Sequence, residues 1–243
     1  MIISPTNNFI FFKSLKTAGS SVEYALHKAC GPNDLITGGT SEEREQGFLP
    51  QNNTMVNGNT EALKFHSHTW PEMLFERSSA PLSTWDNFHK ITIVRNPWDL
   101  CVSAYWWALH IHPPVWLKIQ EGDTQKKVQW KFKAFLDARG EYEPMWPGED
   151  DYIIKQLDYW SETALHFLHP CIDTYIRFES ITGDYHDLCS SLNITPHNLP
   201  YFKSSQRKLR HHYSYYYDDE SRSMIAHAFQ DLIAKFGYEF ECK

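Results

Sequence analysis

The chain has 243 residues, of which 42% are hydrophobic, and its formal net charge is −7. This length and apolar content suit one α/β domain with a real core, which we predict to span residues 1–243. The negative charge argues against a nucleic-acid binder that neutralises many phosphates, although a local basic patch for one small anion is compatible with it.

The first residues of the chain and its cysteines indicate the cellular compartment in which we expect the protein. The segment MIISPTNNFIFFKSLK has no basic-then-apolar leader, and no apolar run approaches the roughly 18 residues of a membrane span. The five cysteines are scattered and form no CxxC pair, so neither a zinc ribbon nor a disulfide framework is indicated. We therefore expect a cytoplasmic protein without a membrane span, and no sequence feature indicates an oligomeric state.

The first predicted elements surround a turn of small residues. Phe9-Ile10-Phe11-Phe12 predicts a buried parallel strand, and Val22 to Leu26 predicts a helix. Residues 31–60 are rich in Gly, Asn, Thr and Glu and predict a loop or lid. The run from Ala62 to Phe65 predicts a second strand that ends in His66-Ser67-His68.

Later elements alternate between strand and helix. Strands are predicted over 91–94 and 174–178, and helices over 98–109, 123–139, 181–192 and 220–236, with Gly237 as the last C-cap. This alternation predicts an α/β fold with a central parallel sheet covered by helices on both faces.

The turn between the first strand and helix reads Lys16-Thr17-Ala18-Gly19-Ser20-Ser21. Small residues that open a helix expose backbone N–H groups, the helix dipole adds positive potential, and Lys16 adds a full charge. The turn is P-loop-like but is not a Walker A motif, since its lysine leads the turn. It predicts a cradle for a phosphate-like anion, against the alternative of an ordinary helix N-terminus with capping serines.

A second anion-binding pattern follows the strand over 91–94. Arg95-Asn96-Pro97 stands at its carboxyl end, where ligands of doubly wound sheets bind, and Ser103 lies two helical turns into the next helix. Arg95 can fork onto a phosphate and Ser103 can donate a hydroxyl. A salt-bridging arginine followed by a capping asparagine is the alternative.

Together the two patterns resemble the sulfotransferase superfamily, which uses the donor PAPS, 3′-phosphoadenylyl sulfate. The end of the chain, with Tyr215-Tyr216-Tyr217-Asp218 and Phe236-Gly237-Tyr238-Glu239-Phe240, looks like that of short bacterial-type and carbohydrate-acting members. The resemblance implies a single sulfotransferase-fold domain. It also implies that residues 16–21 bind the 5′-phosphosulfate of PAPS, with Lys16 catalytic, and that Arg95 and Ser103 bind its 3′-phosphate.

Two histidines are candidates for the general base. Phe65-His66-Ser67-His68 is similar to the His-containing segment of the heparan-sulfate uronyl sulfotransferases, in which such a histidine takes the proton of the attacking hydroxyl. On that resemblance His68 is the first choice and His66 the second. Half of a metal site and a surface pair without function are the alternatives, and no third ligand cluster is evident, so we predict no metal.

Two further groups of residues are candidates for ligand contact. The basic run from Lys203 to Arg210 stands where family members cover the adenine and the 3′-phosphate, which implies roles for Arg207 and Lys208. A solvated basic turn is the alternative. Among the aromatic residues near the second pattern, Trp106 and Trp107 cannot face the same way, so one of them could stack on a sulfuryl acceptor.

The sequence therefore predicts an enzyme that transfers the sulfuryl group of PAPS, by in-line displacement and without a metal, to a hydroxyl of a glycan, glycolipid or small molecule. PAP, 3′-phosphoadenosine 5′-phosphate, is the expected product. A non-catalytic module that binds PAP or a glycan is one alternative, and transfer to a secondary-metabolite hydroxyl or amine is another. A kinase-like phosphotransferase would need a Walker lysine and Mg²⁺ ligands that the sequence lacks.

Overall fold

The computed structural model describes residues 1–39, 44–57, 60–63, 65–78, 80–111, 115–141, 153–202 and 207–243. The strands are β1 (Ile2–Ser4), β2 (Phe9–Phe12), β3 (Leu35–Ile36), β4 (Thr54–Asn57), β5 (Thr60–Leu63), β6 (His89–Val94), β7 (Arg139–Glu141), β8 (Ile153–Lys155) and β9 (Thr174–Arg177). The helices are α1 (Gly19–His27), α2 (Pro71–Arg77), α3 (Pro97–Ile111), α4 (Gln125–Asp137), α5 (Gln156–His166), α6 (Ile181–Ser191), α7 (Asp219–Ala228) and α8 (Gln230–Phe236).

The chain divides into two compact units. The first unit comprises residues 1–94 and 166–202, and the second comprises residues 95–165 and 203–243. One domain over residues 1–243 stays a prediction. The lid at residues 31–60 also stays a prediction, and the described part of that segment contains β3, β4 and the first residue of β5.

The first unit is built on a central sheet. Within the described residues it has five strands in the order β3-β1-β2-β6-β9. Strands β2, β6 and β9 run parallel, with Phe12 opposite Thr92 and Val94 opposite Arg177. Strand β1 runs antiparallel to both β2 and β3. The carboxyl ends of β2 and β6 therefore lie at one edge of the sheet, where the loop to α1 begins and Arg95 follows in sequence.

Both faces of this sheet are covered. Phe9 and Phe11 of β2 point to one side and pack with residues of α1 and α6, such as Val22 and Leu188. Ile10 and Phe12 alternate to the other side and pack in a second cluster that includes residues of α2. A strand buried on both faces reads as a continuous apolar run, which is why β2 was predictable. The predicted α/β class, a sheet between helices, is confirmed.

The second unit is mainly helical. Its aromatic core joins α3 and α4 to the 3₁₀ turn Tyr213–Tyr216. The ring centroids of Tyr105 and Phe132 are 5.6 Å apart, and those of Phe132 and Tyr216 are 6.0 Å apart. Strands β7 and β8 form an antiparallel hairpin.

Three sequence predictions need correction. The predicted parallel sheet contains one antiparallel strand, β1, which pairs with β2 on one side and β3 on the other. The predicted strand over 62–65 is β5, which ends at Leu63 and pairs with β4 in a separate hairpin. The predicted helix over 220–236 is interrupted at Phe229, whose backbone (φ −110°, ψ 23°) leaves the helical region, while Gly237 caps α8 in the left-handed conformation as expected.

Candidate functional site

The loop between β2 and α1 has an unusual backbone. Lys16 (φ 59°) and Ala18 (φ 62°) both adopt the left-handed conformation, while Thr17 between them does not. Non-glycine residues pay an energetic cost in this region, so such conformations cluster at functional sites. Alternation of right- and left-handed residues turns successive N–H groups toward one concavity, which is an anion-binding arrangement.

Helix α1 begins at the end of this loop. Ala18 is its N-cap, and the alanine side chain has no acceptor for the N–H groups of the first turn. The Ala18 carbonyl accepts from Ser21 N–H (2.9 Å), whereas the Gly19 and Ser20 N–H groups belong to the part of the turn without an intrahelical acceptor. Ser20 and Ser21 are buried, and Lys16 is partly exposed. The loop thus presents N–H groups and a lysine at a helix N-terminus.

The hydroxyls of Ser14 and Thr17 already have hydrogen-bond partners within the protein. Ser14 Oγ donates to Ile93 O (2.6 Å), two residues before Arg95 in sequence. Thr17 Oγ1 lies 2.8 Å from Ser14 Oγ and 3.2 Å from Ser14 O, so its proton points to Ser14. The predicted role of Thr17 as a hydroxyl donor would therefore require this bond to break, and its N–H group is the more available donor.

A buried ion pair supports the loop. Lys13 Nζ lies 2.7 Å from Glu23 Oε2, and both side chains are almost fully buried. Gly19 packs against Lys13, since a Cβ at residue 19 would lie 2.8 Å from Lys13 Cγ. Lys13 and Glu23 were not among the residues predicted from the sequence. The signal available in the sequence was a charged residue beside or within an apolar segment at each of these two positions.

The histidines lie in a turn and not on a strand, which corrects the prediction. Thr69 N–H donates to His66 O (3.1 Å) to close the turn, and the two imidazole centroids are 5.9 Å apart. His68 Nδ1 is 2.8 Å from the Lys13 carbonyl oxygen, which can only accept, so Nδ1 carries the proton and Nε2 has the lone pair. His66 Nδ1 accepts from the His68 N–H (3.2 Å), so its proton is on Nε2.

Both imidazoles are neutral near pH 7. Burial, with the nearby charges of Arg77 and Lys13, lowers the pKa of His66 to about 4. Burial, together with the charge of Lys13, lowers the pKa of His68 well below its ordinary value, although the bond to the Lys13 carbonyl acts in the opposite direction. A neutral imidazole takes a proton at the nitrogen that carries the lone pair, and the bond to the Lys13 carbonyl makes that nitrogen His68 Nε2.

In the second unit, Arg95 is tied to the next helix. Its Nε and one terminal nitrogen donate to Asp99 Oδ2 at 2.9 and 2.6 Å, and its side chain is 9% exposed. Asn96 Oδ1 accepts from Trp98 N–H (3.1 Å), which starts α3 as a cap. Ser103 lies partly exposed on the same helix. Asp99 was missed from the sequence, although its i,i+4 spacing to Arg95 was a usable signal.

The late basic run divides into two environments. Arg207 donates to Asp99 Oδ1 (3.1 Å) and to His211 O (2.6 Å), and lies over the Tyr216 ring at 5.4 Å. Lys208 is exposed. The rest of the predicted run, residues 203–206, lies outside the described residues. Of the two candidates, Arg207 shares the Asp99 carboxylate with Arg95, whereas Lys208 is exposed to solvent.

The two aromatic candidates, Trp106 and Trp107, differ in burial. Trp106 is buried and its Nε1 donates to Tyr216 Oη (2.9 Å), so it is a core residue. Trp107 is partly exposed and meets Trp160 edge-on at 5.8 Å. Among the described tryptophans of this unit, Trp116 and Trp130 are the most exposed, and their ring centroids are 6.2 Å apart.

Metal-ion clusters and membrane-spanning helices are both absent from the described residues. No three His, Cys, Asp or Glu side chains there could hold a metal ion together. In the same parts of the chain, no helix is long and apolar enough to cross a membrane.

Comparison with known proteins gave one solved structure. No family model matches the chain, and no curated protein matches it. A crystal structure of a sulfotransferase from Alicyclobacillus acidocaldarius is similar, with 14% identity and a TM-score of 0.41, over 96% of this chain and 96% of that one. The residues of this chain, and not that similarity, support the function proposed below.

Proposed function

We propose that this chain is a sulfotransferase that moves the sulfuryl group of PAPS to a hydroxyl group. The observation that carries the proposal is the β2–α1 loop. Lys16 and Ala18 adopt the left-handed conformation on either side of Thr17, just before the N-terminus of a nine-residue helix, and a backbone of this kind suits an anion bound by successive N–H groups. Such a cradle suits the phosphosulfate group, because it offers several N–H donors and one cation to an anion.

Each loop residue has a proposed role. The N–H groups of Thr17, Ala18, Gly19, Ser20 and Ser21 are the proposed donors to the 5′-phosphosulfate, although Ser21 N–H already bonds to Ala18 O. Lys16 would stabilise the negative charge that develops on the leaving phosphate oxygen, as a preorganised cation does in a transition state. PAPS, when bound, supplies the sulfuryl group and leaves as PAP.

The 3′-phosphate is assigned to the second unit. Arg95, with Ser103 and Arg207, is the proposed binding group, because guanidinium forks bind phosphates with two parallel hydrogen bonds. Lys208 is exposed, so its proposed part is limited to long-range attraction.

His68 is the proposed general base. Its Nδ1–H is held by the Lys13 carbonyl, which leaves the Nε2 lone pair to take the proton of the attacking hydroxyl. His66 is the weaker candidate, because its Nδ1 accepts the His68 N–H and its Nε2 already carries a proton. The sulfuryl acceptor is proposed to be a hydroxyl of a glycan, glycolipid or small molecule.

The test is transfer of labelled sulfate from PAPS to a panel of hydroxyl-bearing sulfuryl acceptors. Lys16→Ala should lower transfer by at least a hundredfold, because the developing charge loses its cation. Lys28→Ala is the matched control, since Lys28 is exposed at the opposite end of α1, over the Tyr24 ring. Equal activity in Lys16→Ala and the wild type would contradict the proposal. PAP binding without transfer to any member of the panel would favour a binding module.

A further inference from the structure

The carboxylate of Asp99 joins two arginines that are far apart in sequence. One oxygen, Oδ2, accepts two hydrogen bonds from Arg95, at 2.9 and 2.6 Å. The other oxygen, Oδ1, accepts from Arg207 at 3.1 Å. All three residues belong to the second unit. Asp99 therefore fixes both guanidinium groups on one side chain.

Arg207 is held in this position by two further groups. His211 O accepts from one terminal nitrogen at 2.6 Å, and the Tyr216 ring lies beneath the guanidinium at 5.4 Å. Tyr216 is itself fixed, because its hydroxyl accepts from Trp106 Nε1 (2.9 Å) and donates to Leu209 O (2.7 Å). The plane of Arg207 is thus determined by the surrounding structure before any ligand arrives.

The charges at this cluster do not cancel. Burial alone would raise the pKa of Asp99, but Arg95 and Arg207 hold it below its ordinary value, so the carboxylate is ionised near pH 7. Two guanidinium groups and one carboxylate leave a net charge of +1. Among the described residues, Arg207 Nε is buried and has no hydrogen-bond partner. A buried donor without a partner is costly.

We propose that Asp99 is a positioning residue that holds Arg95 and Arg207 as one two-arginine clamp for a phosphate monoester, the 3′-phosphate of the nucleotide. This inference rests on the proposed sulfotransferase function. It assigns to Asp99 the preference for nucleotides that carry a 3′-phosphate over those with a free 3′-hydroxyl. Without the carboxylate, the two cations repel each other and their forks lose a common orientation.

If charge alone mattered, removal of Asp99 would have the opposite effect on phosphate binding. If Asp99 were only a nearby negative charge, its removal would raise the local positive charge and tighten the binding of a phosphate. If Asp99 positions the arginines, its removal weakens that binding. In Asp99→Asn the amide oxygen can accept from one arginine, but the amide nitrogen meets the N–H groups of the other, so one guanidinium is displaced.

The experiment is calorimetric titration of PAP and of adenosine 5′-monophosphate, which lacks the 3′-phosphate, onto the full chain. Asp99→Asn should weaken PAP binding about tenfold, as expected for loss of one charge-assisted pair, and leave 5′-monophosphate binding unchanged. Asp123→Asn is the matched control. Asp123 also joins two cations of the second unit, Lys127 (2.9 Å) and Lys131 (2.5 Å), and should keep the PAP preference.

The outcomes separate this inference from the function on which it rests. A wild-type chain that binds neither nucleotide contradicts the sulfotransferase function itself. A wild type that prefers PAP, with an Asp99→Asn variant that binds PAP as well or better, overturns only the clamp. If Asp99→Asn does not fold, Arg207→Lys keeps the charge and removes the fork. The clamp then predicts the same selective loss of PAP binding, and an unchanged preference overturns it.

Discussion

His66 and His68 have the same side chain and different chemistry. The difference arises from what each Nδ1 contacts, a carbonyl oxygen for His68 and a backbone N–H for His66. A carbonyl contact places the proton on Nδ1 and the lone pair on Nε2, while an N–H contact does the reverse. The sequence spacing of two residues could not reveal this, because the Lys13 carbonyl lies 55 residues away in the chain.

Replacement of each histidine by asparagine tests the assignment. In His68→Asn the new side-chain amide can keep the bond to the Lys13 carbonyl, but it has no basic nitrogen. His68→Asn should therefore lower kcat by at least a hundredfold, within the usual contribution of a general base, and leave PAP affinity unchanged. His66→Asn should lower kcat much less. A larger loss in His66→Asn than in His68→Asn, measured by steady-state transfer, would reverse the assignment.

The elements that precede or follow the proposed anion-binding residues were largely predictable. The bounds of β2, β6 and α3 lie within two residues of those predicted, because apolar runs indicate buried strands and Pro97 marks the end of a strand and the start of a helix. The antiparallel pairing of β1 and the separate β4–β5 hairpin were not predictable in this way. Strand partners are chosen by tertiary packing, and short apolar runs carry no information about their neighbours.

The role of Lys16 to Ser21 in anion binding stays a prediction, made from small residues before a helix. The left-handed conformations of Lys16 and Ala18 could not be predicted from their side chains. The i,i+4 pair of Arg95 and Asp99 could be found from spacing alone. The contact of Arg207 with Asp99 spans 108 residues, so only the fold reveals it.

Substitution of Gly19 tests the close packing between the N-terminus of α1 and Lys13. Gly19→Ala would place a Cβ 2.8 Å from Lys13 Cγ and 3.3 Å from Ser14 O, so the loop or the lysine must shift. We expect a loss of about 1–3 kcal/mol in the free energy of unfolding, together with weaker PAP binding.

Gly183→Ala is the control for this substitution. Gly183 lies inside α6 and a Cβ there meets nothing within 4 Å, so the alanine should stabilise the chain by up to about 1 kcal/mol, since alanine favours a helix over glycine. Urea unfolding of both variants gives the two values. An equal effect on stability would show that the close approach at Gly19 is unimportant.

At the scale of the whole molecule, buried neutral histidines couple folding to pH. Burial lowers the pKa values of His27, His66, His68 and His212 below 6.5 in the folded chain. Below that pH the unfolded chain binds more protons than the folded one, so stability is fully present above pH 6.5 and falls as the pH drops toward 4.

Urea unfolding at several pH values between 7.5 and 4.5 measures this coupling. Each histidine that stays neutral contributes a slope of at most about 1.4 kcal/mol per pH unit within the window. His68→Asn should flatten the profile relative to the wild type, because one titrating group is removed. A stability independent of pH across this window would contradict the buried neutral state of the histidines.

The central claim is that the chain binds a nucleotide carrying both a 5′ anion and a 3′-phosphate. The most direct measurement is calorimetric titration of PAP onto the wild-type chain near pH 7. The account predicts saturable binding of one PAP per chain, at least tenfold tighter than adenosine 5′-monophosphate and lost in Arg95→Ala, since the arginine fork is removed. Absence of PAP binding, or equal affinity for the two nucleotides, would contradict it.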